Sequence, residues 1–422
     1  MSRTVISGAR VFDGESDDIQ VADVVLSGGR IVDVGLDLDG DVRVDASGLT
    51  VLPGLIDAHV HLMLTSLDMM KMLNRPFSYN FFVALQHLRV TLDCGITTVR
   101  DASGADRGIQ SAQADGVIEG PRIQISVIAL SQTGGHGDRW VPSGNFLDVV
   151  PPYPGRPSAI VDGPDEMRRK VRELVRAGAN VIKVNTSGGV FSPTDNPSHG
   201  HFRDIELEVL VEEAEAAGIY AMAHAIGNAG IKSAVRAGIR SIEHGNELDD
   251  EAIEMMLAKG TWLVPTLGVL DFIIATAEQG ASLPEAILTK AYHAREAKRD
   301  TFRKAAEAGV RIAMGSDSAA EAHGNNLIEL RLMHEQGLAP IDCLRAATSS
   351  AAKLMRLEDE IGRVAPGMHA DLTLIEGDPF DFAAYPSNVT AVYQGGRLVR
   401  GGQPASKNSP EISPKGVANA TL

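Results

Sequence analysis

Apolar and polar positions alternate with a period of two through the first fifty residues, then give way to a longer rhythm. The segments TVISGARVFD, DVVLSGGRIVDVG and VRVDASGL are short apolar runs divided by Gly and Asp, the pattern of strands and turns. The same pattern returns near the other end, in DLTLIEGD and VTAVYQGGRLVRGG. Both ends carry a strand, a Gly-Gly-Arg turn and a second strand. Residues 1–52 and 365–405 therefore read as one small β-sandwich domain built from both termini. Residues 406–422, rich in Ser, Pro, Asn and Ala, read as a C-terminal tail.

Residues 53–364 repeat strand then helix. Eight apolar runs read as strands: GLIDAHVHL, ITTVRDA, RIQISVIA, NVIKVNTSG, YAMAHAIG, SIEHGN, TWLVPTL and RIAMGSDS. Between them lie PDEMRRKVRELVRAGA, ELEVLVEEAEAAG, GIKSAVRAG and AREAKRDTFRKAAEAG, with apolar residues three and four apart and Gly at the end, where helices stop. Eight such units predict an α/β fold of the (β/α)8 TIM-barrel type. An open doubly wound sheet would need a glycine-rich phosphate loop after an early strand, and no convincing one is present. The longest irregular stretch, residues 128–163, follows the third strand and is expected over the barrel's C-terminal rim, where active sites lie.

Chemistry gathers at the predicted strand ends. His59 and His61 close the first strand two residues apart, so both imidazoles project from one face. Alone, the pair fits hydrogen-bonded strand-end histidines as well as metal ligands. Lys183 ends the fourth strand, His224 the fifth, His244 the sixth and Asp317 the eighth. Five strand ends would aim metal-binding groups at one point, which indicates a metal centre. Lys183 lies beside Val181, Ile182 and Val184, so its amine is expected to be buried and its pKa depressed. A neutral amine can add carbon dioxide to give a carbamate whose two oxygens bridge two cations. The other reading is a lysine that reaches the rim or pairs with Asp317.

Composition narrows the classes. A formal net charge of −16 argues against a nucleic-acid partner. No apolar stretch has the length of a membrane span, so no membrane partner is expected. Two cysteines, Cys94 and Cys343, give no disulfide framework. The opening MSRTVISGARVFDG lacks the apolar core of a signal peptide, and a cytoplasmic location is expected.

The ordered set PGLIDAHVHL, the lysine in IKVNTSGG, MAHA, IEHG and GSDS resembles the amidohydrolase superfamily, over nearly the whole chain. GITTVRDASG, EGPRIQIS, ALSQTGGHGD and KVNTSGGVFSPTD make it similar to the branch of Xaa-Pro and Xaa-Arg dipeptidases and ochratoxin-hydrolysing amidohydrolases. The resemblance implies two divalent metal ions, zinc foremost. His59, His61 and Asp317 would hold one, His224 and His244 the other, and carboxylated Lys183 would bridge them. It further implies attack of a metal-bridging hydroxide on an amide carbonyl. Asp317 would take the proton and return it to the leaving amine, and His136 would face the oxyanion. The implied substrate is a small N-acyl amino acid, a dipeptide-like compound or an ochratoxin-like amide. Xenobiotic carbamates or phenylureas are the alternative. A catalytically silent scaffold is disfavoured by the intact ligand set, and a single-metal deaminase by Lys183. A homo-oligomer is expected.

In the dipeptidase-like relatives a substrate-holding tyrosine follows AHA; here Ile226 takes that place, which favours a more apolar acyl or aryl group. Trp140 and Tyr153 could cover such a group or pack the loop. Arg139 or Arg156 could meet a carboxylate. His199 and His201, on the loop after the fourth strand, could contact substrate, but solvated loop residues are the expectation.

Overall fold

The alternating N-terminal segments are strands: β1 (Thr4–Val11), β2 (Gln20–Ser27), β3 (Arg30–Gly35), β4 (Val42–Asp45) and β5 (Leu49–Pro53). The middle supplies β6 (Leu55–Val60), β7 (Ile96–Asp101), β8 (Arg122–Ile125), β9 (Ala129–Leu130), β10 (Val181–Asn185), β11 (Tyr220–Ala225), β12 (Ser241–His244), β13 (Trp262–Val264) and β14 (Arg311–Ile312). β15 (Leu372–Glu376), β16 (Val389–Gln394) and β17 (Arg397–Arg400) follow. These come from a computed structural model that describes residues 2–141, 143–190, 195–278 and 285–401, without the side chains of residues 286, 293 and 296. The tail expected at 406–422 lies outside the described residues.

The strands of the two ends share one sheet, in the order β17-β16-β15-β5-β1-β2-β3, with β4 also on β1. β15 runs antiparallel to β5, with Thr373 opposite Leu52. Where a two-sheet sandwich was expected, the pairing is a single branched sheet, because β1 pairs with β2, β4 and β5 at once. Its inward positions, among them Ile6, Val24, Leu26, Val51 and Leu374, make a separate apolar cluster. The two Gly-Gly-Arg turns meet: Ala370 N donates to Gly29 O, and Gly396 N donates to Ala370 O, both at 2.9 Å.

All strand pairs of the middle are parallel, in two arcs: β14-β13-β12-β11-β10-β9 and β6-β7-β8. β6, β7, β10, β11 and β12 are buried at every residue, as strands covered on both faces must be. One seam is stitched by hydrogen bonds from Ala58 N to Met314 O (2.9 Å), Asp317 N to His59 O (2.8 Å) and His61 N to Ser318 O (2.9 Å). At the other seam the expected third strand splits. Val127 takes a left-handed φ of 67°, which ends β8 and leaves β9 only two residues long. The uninterrupted eight-stranded ladder expected from the sequence is therefore two arcs, not one closed ring of pairing.

The four expected helices are present, as Pro164–Arg176, Asp204–Ala216, Asn228–Ala237 and the later part of Glu285–Glu307. Local chemistry sets their limits. In the helix Asp250–Lys259, the Asp249 side chain accepts from Ala252 N at 2.8 Å, and Gly260 ends the helix at a φ of 65°. Among the described residues, no helix is long and apolar enough to cross a membrane.

Candidate metal centre and its cavity

Period two puts His59 and His61 on one face of the β6 strand end, and the neighbouring strands bring their own terminal residues to the same place. His59 Nε2 lies 3.4 Å and His61 Nε2 3.2 Å from Asp317 Oδ1. His244 Nδ1 is 3.9 Å from Asp317 Oδ2. Ring centroids of His59 and His244 are 5.1 Å apart, and those of His224 and His244 4.6 Å. His59, His244 and Asp317 each offer a ligand atom within 4.8 Å of the others. His61 joins them through Asp317, and His224 through His244. Lys183 lines the same cavity.

Each imidazole has one nitrogen already engaged. His59 Nδ1 donates to Glu243 Oε2 at 2.7 Å, His61 Nδ1 to Ser103 O at 3.1 Å, and His224 Nε2 to Gly188 O at 3.2 Å. His244 Nδ1 bonds Thr266 Oγ1 at 2.8 Å. The second nitrogen of each ring is left for coordination, the usual outer arrangement of ligating histidines. Lys183 Nζ is buried and has no hydrogen-bond partner among the described residues. Burial lowers the Lys183 pKa to about 8, against the opposing charges of Glu243 and Asp317. Burial also holds the His59, His224 and His244 pKa values well below the usual imidazole range. Asp317 is pushed up by burial, but His59, His61 and Lys183 outweigh that and bring it to about 2. Burial tends to lower the His61 pKa, but the hydrogen bond and charge of Asp317 outweigh that and raise it. This donor set, with three rings held neutral, an ionised carboxylate and an orphaned amine, fits divalent cations, which displace the proton that His61 holds against Asp317.

Several supporting residues carried no role in the sequence reading. Glu243, fully buried, also accepts from Arg100 Nη2 (2.9 and 3.1 Å) and from Ser241 Oγ (2.5 Å). Asp57 accepts from Ser316 N, Ser316 Oγ and Asn326 Nδ2, at 3.0, 2.5 and 2.9 Å. It thereby ties β6 to the turn that carries Asp317. Lys298 Nζ donates to Thr266 O (2.7 Å) and Thr266 Oγ1 (3.0 Å), behind His244. His244, Thr266 and Asp317 adopt left-handed φ values of 76°, 49° and 57°. Such conformations cost about 1–3 kcal/mol each in non-glycine residues and persist where the surroundings impose them.

One contact behind the cluster permits no side chain. A Cβ on Gly315 would stand 2.3 Å from Val264 Cγ1 and 2.8 Å from His59 Cβ. Gly315→Ala is expected to cost about 1–3 kcal/mol in unfolding free energy and to weaken metal binding by displacing His59. Urea unfolding and a metal titration of the same variant check both effects.

A cavity of about 400 Å³ opens over the cluster. The long loop walls it, as expected, with His136, Arg139, Phe146 and Arg156, and Ile226 and Leu270 line it too. His136 stacks on His224 at 4.4 Å and lies 3.3 Å from Asp195. Of the loop's aromatic residues, Phe146 lines the cavity although it is largely exposed, and Trp140, also exposed, does not line it. Tyr153 packs the loop: it contacts Phe77 and Phe81 and donates to Asp106 Oδ2 at 3.0 Å. His199 is exposed as expected, but His201 is buried, because Gly200 pairs with Ser187 and His201 N donates to Thr186 O at 2.8 Å.

The model of the amidohydrolase family matches residues 50–399. Ochratoxinase from Aspergillus niger is 33% identical over 430 residues, which cover 94% of this chain and 87% of that protein. Among solved structures, an amidohydrolase superposes with a TM-score of 0.90 at 33% identity, covering 95% of this chain and 100% of that one. A Xaa-Pro dipeptidase with bound methionine in its active site gives 0.87 at 32% identity, with the same coverage. The chain belongs to the amidohydrolase family and is a hydrolase of carbon–nitrogen bonds.

Proposed function

We propose that the chain is a binuclear metal-dependent amidohydrolase that cleaves the amide bond of an N-acyl amino acid, a dipeptide-like compound or an ochratoxin-like amide. The observation that carries this reading is the orphaned Nζ of Lys183 in the cavity that four histidines and Asp317 also line. In this reading residues 53–364 form the catalytic (β/α)8 barrel, flanked by the β domain of residues 1–52 and 365–405. His59, His61 and Asp317 hold one cation, and His224 and His244 the other. Lys183, carboxylated by carbon dioxide at Nζ, would supply ligand oxygens to both. Two bound divalent ions, zinc foremost, supply an acidified water and a Lewis acid for the carbonyl.

The chain's own residues do the rest. Asp317 accepts the proton of the nucleophilic water at a carboxylate oxygen. It returns that proton to the leaving nitrogen, which must be protonated to depart. His136, held between the His224 ring and the Asp195 carboxylate, presents its remaining edge to the charge that develops on the carbonyl oxygen. The apolar share of the cavity, including Ile226, Leu270 and Ile273, excludes water and seats an acyl or aryl group. The relatives named for ochratoxin and Xaa-Pro hydrolysis agree with an amide substrate.

The test is metal content with activity. Purified protein is expected to carry about two divalent ions per chain, to lose turnover on chelation and to regain it on zinc addition. Turnover is read on a panel of N-acyl amino acids, Xaa-Pro dipeptides, aryl amides, carbamates and phenylureas. Full activity in metal-stripped protein, or turnover confined to the carbamates and phenylureas, overturns the reading.

A further inference from the structure

Two arginines of the long loop stand in the cavity without the partners a buried cation needs. The Arg139 guanidinium lines the cavity, half-buried, and no described residue hydrogen-bonds or ion-pairs with it. Arg156 is 9% exposed. Its Nη1 donates to Val150 O at 2.5 Å, while its Nε is buried with no partner among the described residues. Burial depresses both pKa values, and the Arg139 charge depresses that of Arg156 further. Two guanidiniums in one partly apolar cavity repel each other, and each carries a desolvation cost that only an anion offsets. Asp148, exposed on the same loop, and Asp195 lessen the positive charge at Arg139, and Tyr153, Asp148 and Asp101 that at Arg156, but among the described residues none forms an ion pair with either guanidinium.

The rest of the chain makes this pair more telling. A protein of net charge −16 repels an anionic substrate, so a fixed local cation is needed to capture one. Ile226, which also lines the cavity, offers no side-chain donor. We propose that Arg139 and Arg156 form a carboxylate subsite that takes the α-carboxylate of an N-acyl amino acid, while the apolar wall takes its acyl group. The planar guanidinium fork suits two carboxylate oxygens. This inference rests on the amide-hydrolase reading for the identity of the ligand, and its test does not depend on turnover.

The probe is the ketomethylene isostere of N-benzoyl-L-phenylalanine, in which CH2 replaces the amide NH, together with the same ketone lacking the carboxylate. Neither is hydrolysed. Calorimetry on the metal-loaded protein is expected to show the acid binding about ten- to a hundredfold tighter than the neutral ketone. Arg139→Met and Arg156→Met are each expected to bring that ratio down about tenfold, and Arg139→Lys to keep part of it. The Lys variant decides the test if a Met variant fails to fold. Equal affinity for acid and neutral ketone in the unaltered protein overturns the subsite, as does a ratio unchanged in the variants. Turnover of N-benzoyl-L-phenylalanine in the same preparation reports separately on the amide-hydrolase reading.

Discussion

Lys183→Met is expected to move stability in opposite directions with and without metal. In the metal-free protein Lys183 Nζ is a buried donor with no partner among the described residues, and such a group costs about 1–3 kcal/mol. Methionine fills similar space without the amine, so the metal-free variant should unfold at a higher temperature than metal-free wild type. In the loaded protein the sign reverses. In the proposed centre the variant would lack the bridging ligand, bind less than the full complement of cations, and forfeit the stabilisation that tight binding to the native state gives. Turnover should fall at least a hundredfold, roughly the upper range for disturbing a metal's supporting groups. Paired melting curves with metal analysis check the result. A variant that keeps full metal and full activity removes Lys183 from the centre.

Glu243→Gln is expected to damage the fold and the metal site together. Arg100 and Glu243 are both fully buried, and their pair leans on Ser241 and on His59 Nδ1. Neutralising one partner of a buried pair leaves the other uncompensated and costs about 3–5 kcal/mol. Glutamine also changes what His59 Nδ1 faces, so the ring loses the partner that fixes its tautomer. Metal affinity should drop about 10- to 100-fold. Denaturant unfolding of metal-free protein separates the first loss from the second, which a competition titration with a chelator measures. If affinity falls while metal-free stability holds, Arg100 has found another acceptor and the network is less closed than its distances imply.

The strand ends were legible because period two and burial together fix which residues a parallel strand delivers at its tip. His59, His61, Lys183, His224, His244 and Asp317 all reach one cavity on that logic. Glu243 carried a readable signal that was not used: a carboxylate inside the apolar run SIEHG has to be paired. Lys298 carried none, since only packing of the helix Glu285–Glu307 brings it behind Thr266. The break at Val127 was equally hidden, because RIQISVIA reads as one strand and nothing local announces a left-handed valine. The loop's place over the rim followed from topology, but which of its side chains face inward did not. Phe146 lines the cavity while staying largely exposed, and Trp140 and Tyr153 do not line it.

The shared sheet of the two chain ends sets the timetable of biosynthesis. β1 to β5 leave the ribosome first, yet β5 lacks its antiparallel neighbour until β15 emerges. Leu52 and Thr373, which stand opposite each other across this junction, are 321 positions apart (373 − 52); at about 5–20 residues per second that is a wait of roughly 15–65 s. Throughout it an apolar strand edge stays open to other nascent chains. Yield in a foreign host should therefore depend on chaperone supply. Products that stop short of β15 should collect in inclusion bodies even though they contain every residue of the metal cluster.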